Sequence, residues 1–298
     1  MPLIVNADDF GLTPGVNRSI AELYRAGALS SATLMATGAF FDDAVAIARA
    51  NPGLETGCHI LLVDGTPALP PHEIPSLCPD GKSFRTTLTT FVRDLLSFRI
   101  RASEIIAEAC AQIRLLQRAG LHVSHMDTHK HTHLFPGILR PLISAAQSCG
   151  VSAVRNPFEP AWALRATNGV SSARRLAVVA LRSRHRAFLR LVRTAGLATT
   201  SGTIGVLSTG TLNVEQTLRS LLAAMPSATP QAPLTRAPTQ NESWELVCHP
   251  GYPDQHLDLV RTRLRASRAQ EHEALLRLLP AIPLTSWHDL ARSTSAES

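Results

Sequence analysis

Five side chains able to bind a metal ion crowd the stretch "HVSHMDTHKHTH", residues 122–133. They occupy every second position: His125, Asp127, His129, His131 and His133. Imidazole and carboxylate groups are ligands of zinc and of several other divalent ions. Residues two apart on an extended strand share a face. The spacing therefore predicts an array of metal-competent groups along one side of a strand.

A straight strand cannot deliver all five groups to one ion. Residues two apart are separated by roughly 6.6 Å along a strand, whereas ligand atoms lie about 2 Å from a metal. Unless the chain bends sharply, we expect one or two groups to bind directly and the others to orient them or to hold substrate. The alternative is a surface tract that collects metal. The position between a strand pattern and the helix entry "FPG" favours a strand end instead.

Further reactive residues stand at the ends of other apolar segments. The short apolar run in the opening "LIVNADDFG" ends in Asp8 and Asp9, two adjacent carboxylates that need a nearby cation. His59 lies inside "ETGCHILLV", Arg155 ends "VSAVR", and His249 ends "WELVCH" before a Pro-Gly turn. An arginine beside carboxylates keeps one of them ionised and oriented. His59 or Arg155 alone is as readily a structural residue, but the five together predict one site.

Short apolar segments alternate with segments of helical periodicity. The predicted strands are Leu3–Asn6, Thr33–Thr37, Thr56–Val63, Val123–Asp127, Ala153–Arg155, Thr203–Leu207 and Glu245–Cys248. The predicted helices between them include Gly15–Ala26, Phe41–Ala50, Ser103–Ala119 and Gly137–Cys149. This alternation predicts an α/β fold, a distorted (β/α) barrel of about seven mostly parallel strands. Such barrels place their chemistry at the carboxyl ends of the strands.

The boundaries between segments predict one catalytic domain over residues 1–291. The Pro- and Gly-rich Pro67–Ser83 is expected to form a long ordered loop, of the kind that acts as a lid or substrate wall. The stretch 224–241 carries four prolines and is expected to be a mobile surface excursion. Residues 292–298 are expected to be a flexible tail.

The amino-acid composition argues against a membrane-spanning, a secreted or a disulfide-rich protein. The chain has 298 residues, of which 45% are hydrophobic, but no apolar run approaches the roughly 20 residues of a membrane span. Its start lacks the basic region of a signal peptide. Five cysteines without metal-type spacing argue against a disulfide framework and for a reducing cytoplasm. Cys58 and Cys248, each before a histidine, are expected to be buried packing residues.

Positive charge is concentrated in one interval. The formal net charge is +6, and no acidic residue lies between Glu159 and Glu215. Within it, Ala173–Arg193 has the pattern of a basic amphipathic helix, which could rest on an anionic membrane. The favoured alternative is that its apolar stripe packs on the barrel and its arginines face water. Nucleic acid is not expected as a partner, because no recognition motif accompanies the charge.

Four separated motifs resemble the YdjC-like carbohydrate deacetylases: "NADDFG", Gly57-Cys58-His59, "SHMDTHKHTH" and "HPGY". That family is similar to metal-dependent polysaccharide deacetylases with a distorted (β/α) barrel. The resemblance implies removal of the N-acetyl group from an amino sugar by a metal-activated water. It also implies a homodimer, by analogy only.

The resemblance implies particular roles for five residues. Asp9, His59 and His129 would bind one divalent ion, zinc or magnesium, with manganese, nickel or cobalt also compatible. Asp8 would be the general base and His249 the general acid. Asp127, His125, His131, His133 and Arg155 would then support the ligands or hold substrate.

Two loops resemble a narrower branch, the hopanoid-biosynthesis-associated deacetylases. These are "LLVDGTPALPPHEIP" after His59 and "RNPFEPAW" after the fifth predicted strand. The resemblance implies a lipid-linked N-acetylglucosaminyl substrate and a cytoplasmic protein that could lie at the inner membrane face. Two alternatives remain open: a metal-dependent phosphoesterase, usually with two or three ions, and a non-catalytic protein that binds sugar or lipid.

Overall fold

The structure is a computed structural model that describes residues 3–211, 214–226 and 242–295. Seven strands form one sheet: β1 Leu3–Phe10, β2 Ser31–Leu34, β3 Glu55–Ile60, β4 Val123–Thr128, β5 Ala153–Val154, β6 Gly202–Ile204 and β7 Trp244–Cys248. Every strand pair is parallel, and the order across the sheet is β5-β4-β3-β2-β1-β7-β6. The predicted α/β class and strand number are therefore confirmed.

Helices connect the strands and cover the outside of the sheet. They are α1 Pro14–Arg25, α2 Phe41–Ala50, α3 Leu88–Leu96, α4 Ala102–Arg118, α5 Pro136–Cys149, α6 Ala161–Ala166, α7 Ser172–Leu181, α8 His185–Thr194, α9 Val214–Ala224, α10 Gln255–Leu259, α11 Ser267–Leu278 and α12 Trp287–Ser295. Short 3-10 segments lie at Pro71–Glu73, His129–Leu134 and Arg182–Arg184.

Contacts across the sheet show that it is curled. In a flat sheet, β5 and β1 would lie roughly 19 Å apart, four strand spacings. Yet Arg155, directly after β5, donates to Asp8 of β1 over 2.7 Å. At the sheet edges, Ala198 exchanges backbone hydrogen bonds with Ser152 and Val154 at 2.8 and 2.9 Å. The sheet thus forms the predicted distorted barrel, although only a few backbone hydrogen bonds join its two edges.

The inside of the curl is polar, whereas the outside is apolar. Alternate residues of β7 illustrate this: Leu246 and Cys248 lie on one face, and the buried Glu245 lies on the other, where it meets Arg155. Both Cys58 and Cys248 are buried, as expected, and all five cysteines are free. The interior therefore holds charged groups that must be paired with one another or with a ligand.

Several predicted segments differ from the observed ones. β1 continues to Phe10, so Asp8 and Asp9 belong to the strand instead of following it. The basic helix predicted over Ala173–Arg193 is helical throughout but is interrupted by the 3-10 segment Arg182–Arg184, which divides it into α7 and α8. Only α8 packs as predicted, through Phe188 and Val192, whereas α7 buries no residue.

The remaining loop predictions fall partly outside the described residues. Most of the predicted excursion, residues 227–241, lies there, as do residues 296–298 of the predicted tail; Arg292 lies within α12. The loop Pro67–Ser83 is ordered, since Glu108 accepts hydrogen bonds from the Ala68 and Leu69 amides. Among the helices described, none is long and apolar enough to cross a membrane.

Candidate metal centre and active site

A break in regular strand geometry turns both acids of β1 into the interior. Successive residues of a strand point to opposite faces, so Asp8 and Asp9 could not share a site on a regular strand. The pairing register with β2 shifts between Ala7 and Phe10, and Asp9 has a left-handed φ of 64°. Aspartate tolerates this conformation better than most residues. The local distortion therefore places two adjacent carboxylates in one cavity.

Three predicted ligand atoms form a compact triangle. Asp9 Oδ1 lies 3.6 Å from His59 Nε2 and 3.5 Å from His129 Nδ1. The two ring nitrogens are 3.3 Å apart. Atoms bound about 2.0–2.1 Å from a tetrahedral ion are separated by roughly 3.4 Å. The three side chains consequently fit one face of a coordination tetrahedron around a divalent ion.

The neighbours of His59 leave the correct nitrogen free for an ion. Its Nδ1 lies 2.7 Å from Asp127 Oδ1, so the Nδ1 proton is donated there and Nε2 is the nitrogen that would give its lone pair to an ion in place of a proton. Burial opposes a charge on His59, but Asp127, Asp8 and Asp9 raise its pKa to about 9. The three carboxylates thus make this part of the interior negative, which favours the binding of a metal cation.

Arg268 belongs to the candidate site, although the sequence analysis does not include it. Its side chain is 1% exposed and donates to Asp9 Oδ2 over 2.5 Å, which leaves Oδ1 directed at the two histidines. The same guanidinium donates to the His249 carbonyl over 3.4 Å. Burial raises the pKa of Asp9, but Arg268 and His129 hold it well below its usual range. Arg268 therefore fixes a charged, one-oxygen ligand.

Arg155 occupies the centre of a buried acidic cluster. It donates to both oxygens of Asp8 at 2.7 and 2.8 Å, to Glu245 at 2.7 Å, and to Asp127. Burial opposes ionisation of Asp8, but the pKa falls far below its usual range because of Arg155 and then His59. Burial raises the pKa of Glu245 to about 7 despite Arg155. Asp8 is thus the ionised carboxylate beside the metal site.

The cluster also limits how many ions the interior can hold. Asp8, His59 and Asp127 lie close enough to form a second group of ligands. However, the Arg155 guanidinium already bridges Asp8 and Asp127, and His59 Nδ1 is bonded to Asp127. A second ion there would have to displace a cation that is 0% exposed. The geometry therefore fits one ion.

His249 faces Asp8 from the end of β7. Its Nε2 is 3.7 Å from Asp8 Oδ2, and its side chain is 10% exposed. The Glu271 carboxylate accepts the His249 backbone amide over 2.5 Å, which fixes the start of the "HPGY" turn. Its buried Nδ1 has no hydrogen-bond partner among the described residues. The predicted acid therefore lies beside Asp8, with a small part of its side chain exposed.

The prediction that five residues of "HVSHMDTHKHTH" share one strand face is correct only inside β4. His125 and Asp127 do point into the same interior. Beyond Thr128 the chain turns, with left-handed φ values of 56° at Lys130 and 51° at His131. His129 lies before this bend and reaches Asp9, whereas the bend takes His131 and His133 off the line of the strand.

His125 packs below the metal site instead of lining it. Its Nε2 lies 3.1 Å from Asn6 Oδ1, and its ring stacks on Trp287 with centroids 4.4 Å apart. Burial and Arg155 hold its pKa well below the usual value. A Cβ at Gly57 would meet this ring at 2.5 Å. The glycine of the Gly57-Cys58-His59 motif is therefore explained by packing.

His131 and His133 occupy the turn after β4. The two rings lie 6.2 Å apart, and His133 Nδ1 is 2.6 Å from Thr128 Oγ1. Burial, with a contribution from Arg155, lowers the pKa of His131 to about 3. Both imidazoles are thus neutral and shape the turn that carries His129.

Replacing Arg268 by methionine should lower metal affinity about 10- to 100-fold, as is typical when a group that orients a ligand is lost. Asp9 would lose the donor that fixes its second oxygen. Titration of metal into the metal-free protein by calorimetry measures the change. Arg277→Met is the matched control, because Arg277 pairs with Glu215 at the surface. Equal affinity in both variants would contradict the role of Arg268.

Comparison with known proteins agrees with the motifs. A carbohydrate deacetylase of Listeria welshimeri is 38% identical over 157 residues, covering 52% of this chain and 61% of that protein. A chitooligosaccharide deacetylase of Salmonella paratyphi B is 35% identical over 176 residues, covering 57% of this chain and 68% of that protein. The match thus spans less than two thirds of the Listeria relative.

A solved structure shares the fold over almost its whole length. It comes from Enterococcus faecalis V583 and is named for cellobiose-phosphate cleavage; the TM-score is 0.69, with 23% identity over 97% of this chain and 98% of that one. The sequence profile described as YdjC-like protein matches residues 2–278. With that profile spanning nearly all of the sequence, the chain belongs to the YdjC-like protein family.

Proposed function

We propose that this protein is a metal-dependent hydrolase that removes the N-acetyl group from an N-acetylated amino sugar. The observation that carries the proposal is the triangle of Asp9, His59 and His129 atoms with Asp8 and His249 on one side of it. The names of the Listeria and Salmonella relatives support the choice of an acetylated carbohydrate.

Each residue of the site has a separate role in the proposed amide hydrolysis. A divalent ion held by Asp9, His59 and His129 would polarise the acetamide carbonyl and activate water. Asp8, kept ionised by Arg155, accepts a proton from the attacking water as general base. His249 donates a proton to the sugar nitrogen, because an amine leaves poorly without one. The 3.7 Å between Asp8 and His249 lets both reach one acetamide group.

The positioning residues explain why the site is buried and charged. Asp127 fixes the His59 ring, and Arg155 joins Asp127 to Asp8, so a ligand and the base are held by one guanidinium. Preorganised charges of this kind need no rearrangement during the reaction. We propose that Arg155 serves mainly to keep Asp8 ionised and correctly placed.

The donor set favours certain metals. Two imidazoles and one carboxylate suit zinc, and also manganese, cobalt or nickel. Magnesium prefers oxygen ligands and retains its water. We propose zinc as the first metal to test and magnesium as the last.

The finer substrate proposal rests on the loop resemblance. We propose a lipid-linked N-acetylglucosaminyl glycoside as substrate, a homodimer, and contact of residues 173–193 with the cytoplasmic face of an anionic membrane. The absence of acidic residues from 160 to 214 supports that contact. Analytical ultracentrifugation tests the dimer.

Acetate release tests the proposed reaction. The purified protein would be given N-acetylglucosaminyl lipid or chitooligosaccharide, with and without a chelator, and then resupplied with zinc. We expect acetate from at least one substrate, loss of activity with the chelator, and recovery with the metal. Faster release from the lipid would support the finer proposal. No acetate from either substrate, with phosphate release from a phosphoester instead, would favour the phosphoesterase alternative.

A further inference from the structure

Large exposed apolar side chains gather at the end of the barrel that carries the site. Phe98 is 94% exposed and Leu96 63%, at the tip between α3 and α4; Leu176 is 70% exposed and Val179 47%, on α7. These segments follow the carboxyl ends of β3 and β5, where His59 and Arg155 of the site also lie. We call residues 96–99 the α3–α4 tip.

The α3–α4 tip and the 3-10 segment between α7 and α8 lie on either side of the turn that carries His129. That turn leads directly into α5. A Cβ placed on Gly137 would lie 3.4 Å from Leu95 Cδ1, beside the tip. On the other side, the Arg184 guanidinium is 5.5 Å from the Phe135 ring. The exposed apolar groups therefore lie on both sides of the turn that carries His129. The His129 side chain is 21% exposed and marks what we call the mouth of the site.

α7 is attached to the protein by polar contacts, and its apolar Leu176 and Val179 side chains stay exposed. Arg174 donates to the backbone carbonyls of Thr209 and Val206 at 2.9 and 3.1 Å. Arg175 donates to two further carbonyls, those of Leu164 and Thr167. A helix on a barrel normally buries an apolar stripe, yet α7 buries none of its residues. Leu176 and Val179 are thus available to another apolar phase.

The charge around α7 indicates what kind of partner would fit its exposed apolar side chains. Arg186, Arg190 and Arg193 of α8 are exposed and make no ion pair with any residue that the structure describes. No acidic residue lies between Glu159 and Glu215. A second copy of this surface would bring like charges together. An anionic lipid surface supplies both the negative charge and the apolar layer.

We infer that α7–α8 and the α3–α4 tip together form a two-part docking surface for an anionic lipid bilayer, with the mouth of the site turned towards the lipid. Phe98 and Leu176 enter the interfacial layer, and the arginines of α8 meet the head groups. The benefit to catalysis rests on the proposed function, since a lipid-linked sugar would then be presented directly to the mouth.

Vesicle co-sedimentation tests the docking surface. The full chain would be mixed with phosphatidylcholine vesicles, with or without phosphatidylglycerol, at low and high salt. We expect binding only to the anionic vesicles, weakened by salt. Phe98→Glu, or Leu176→Glu, should each lower the partition coefficient about tenfold, the effect of losing one buried apolar side chain. Arg186→Glu with Arg190→Glu should also weaken binding.

Leu276→Glu provides the matched control. Leu276 is 43% exposed but lies near the end of α11, which runs towards the opposite end of the barrel. It should bind vesicles like the wild type. Weak binding to anionic vesicles by the wild type, or equal losses for Leu276→Glu and Phe98→Glu, would overturn the inference. The inference would also be overturned if the wild-type protein self-associated and Phe98→Glu dissociated it.

Activity on a soluble substrate separates the two proposals. All these variants should release acetate from chitooligosaccharide at the wild-type rate, because none of the changed residues touches the site. Absence of acetate release with normal vesicle binding would refute the proposed function alone. Normal acetate release without vesicle binding would refute the docking surface alone.

Discussion

Replacing Asp8 by asparagine should lower kcat about 100-fold or more, the usual effect of losing a general base. Metal content should stay at the wild-type level, because the triangle of ligand atoms uses Asp9 instead. The asparagine keeps an acceptor for Arg155, which also retains Asp127 and Glu245. Steady-state kinetics together with elemental analysis of bound metal would measure both quantities.

Asp94→Asn offers a matched control for this substitution. Asp94 is also largely buried and paired with arginine, with Arg85 Nε 2.8 Å away, but it lies on α3 outside the site. It should keep the wild-type kcat even if its melting temperature falls. An Asp8→Asn enzyme that is folded, holds its metal and turns over at the wild-type rate would show that another group takes the proton.

Replacing His129 by alanine should remove most of the bound metal and nearly all activity. Loss of one ligand from a three-residue site should weaken metal binding by more than about 100-fold, beyond the effect of a group that only orients a ligand. His129 suits the test because its side chain is 21% exposed, whereas that of His59 is 2% exposed. Dialysis against a metal of known concentration followed by elemental analysis gives the affinity.

His131→Ala is the corresponding control, since it removes an imidazole from the same turn. Its metal content should match the wild type, because no His131 nitrogen belongs to the triangle. Full metal retention by His129→Ala would show that the site is built differently. The wild type should hold one ion per chain. Two or three ions per chain would instead support the phosphoesterase alternative. They would also require Arg155 to move away from Asp8 and Asp127.

The sequence was most informative where a chemical group interrupts an apolar strand. His59, Arg155 and His249 could be found because charged or titratable residues are costly to bury without a purpose. Glu245 carried the same signal inside "WELVC" and was overlooked. Its contact with Arg155 shows that β7 contributes a buried carboxylate to the site as well as His249 at its end.

Other parts of the site depend on backbone conformations that composition does not reveal. The left-handed residues Lys130 and His131 have side chains usually found in ordinary conformations, so the sequence predicts regular alternation past Thr128. Arg268 lies in an arginine-rich helical stretch and carries no spacing signal. Only the packing of α11 beside the "HPGY" turn brings it to Asp9.

The basic segment shows a different limit. A periodic pattern predicts one helix across residues that in fact form α7, a turn and α8. Phe188 and Val192 pack on the barrel, which fixes α8, while the Arg174 and Arg175 side chains fix α7 through backbone carbonyls. Hydrophobic periodicity cannot predict that a helix is held by hydrogen bonds from its side chains to backbone carbonyls.

The close contact between Gly57 and His125 has a consequence for how such chains diverge. Any side chain at position 57 would enter the imidazole, with ring atoms at 2.5, 2.6 and 2.8 Å from its first carbon. The imidazole in turn is held between Asn6 and Trp287. These two positions should therefore covary: a descendant that gains a methyl group at 57 can persist only if 125 shrinks in compensation.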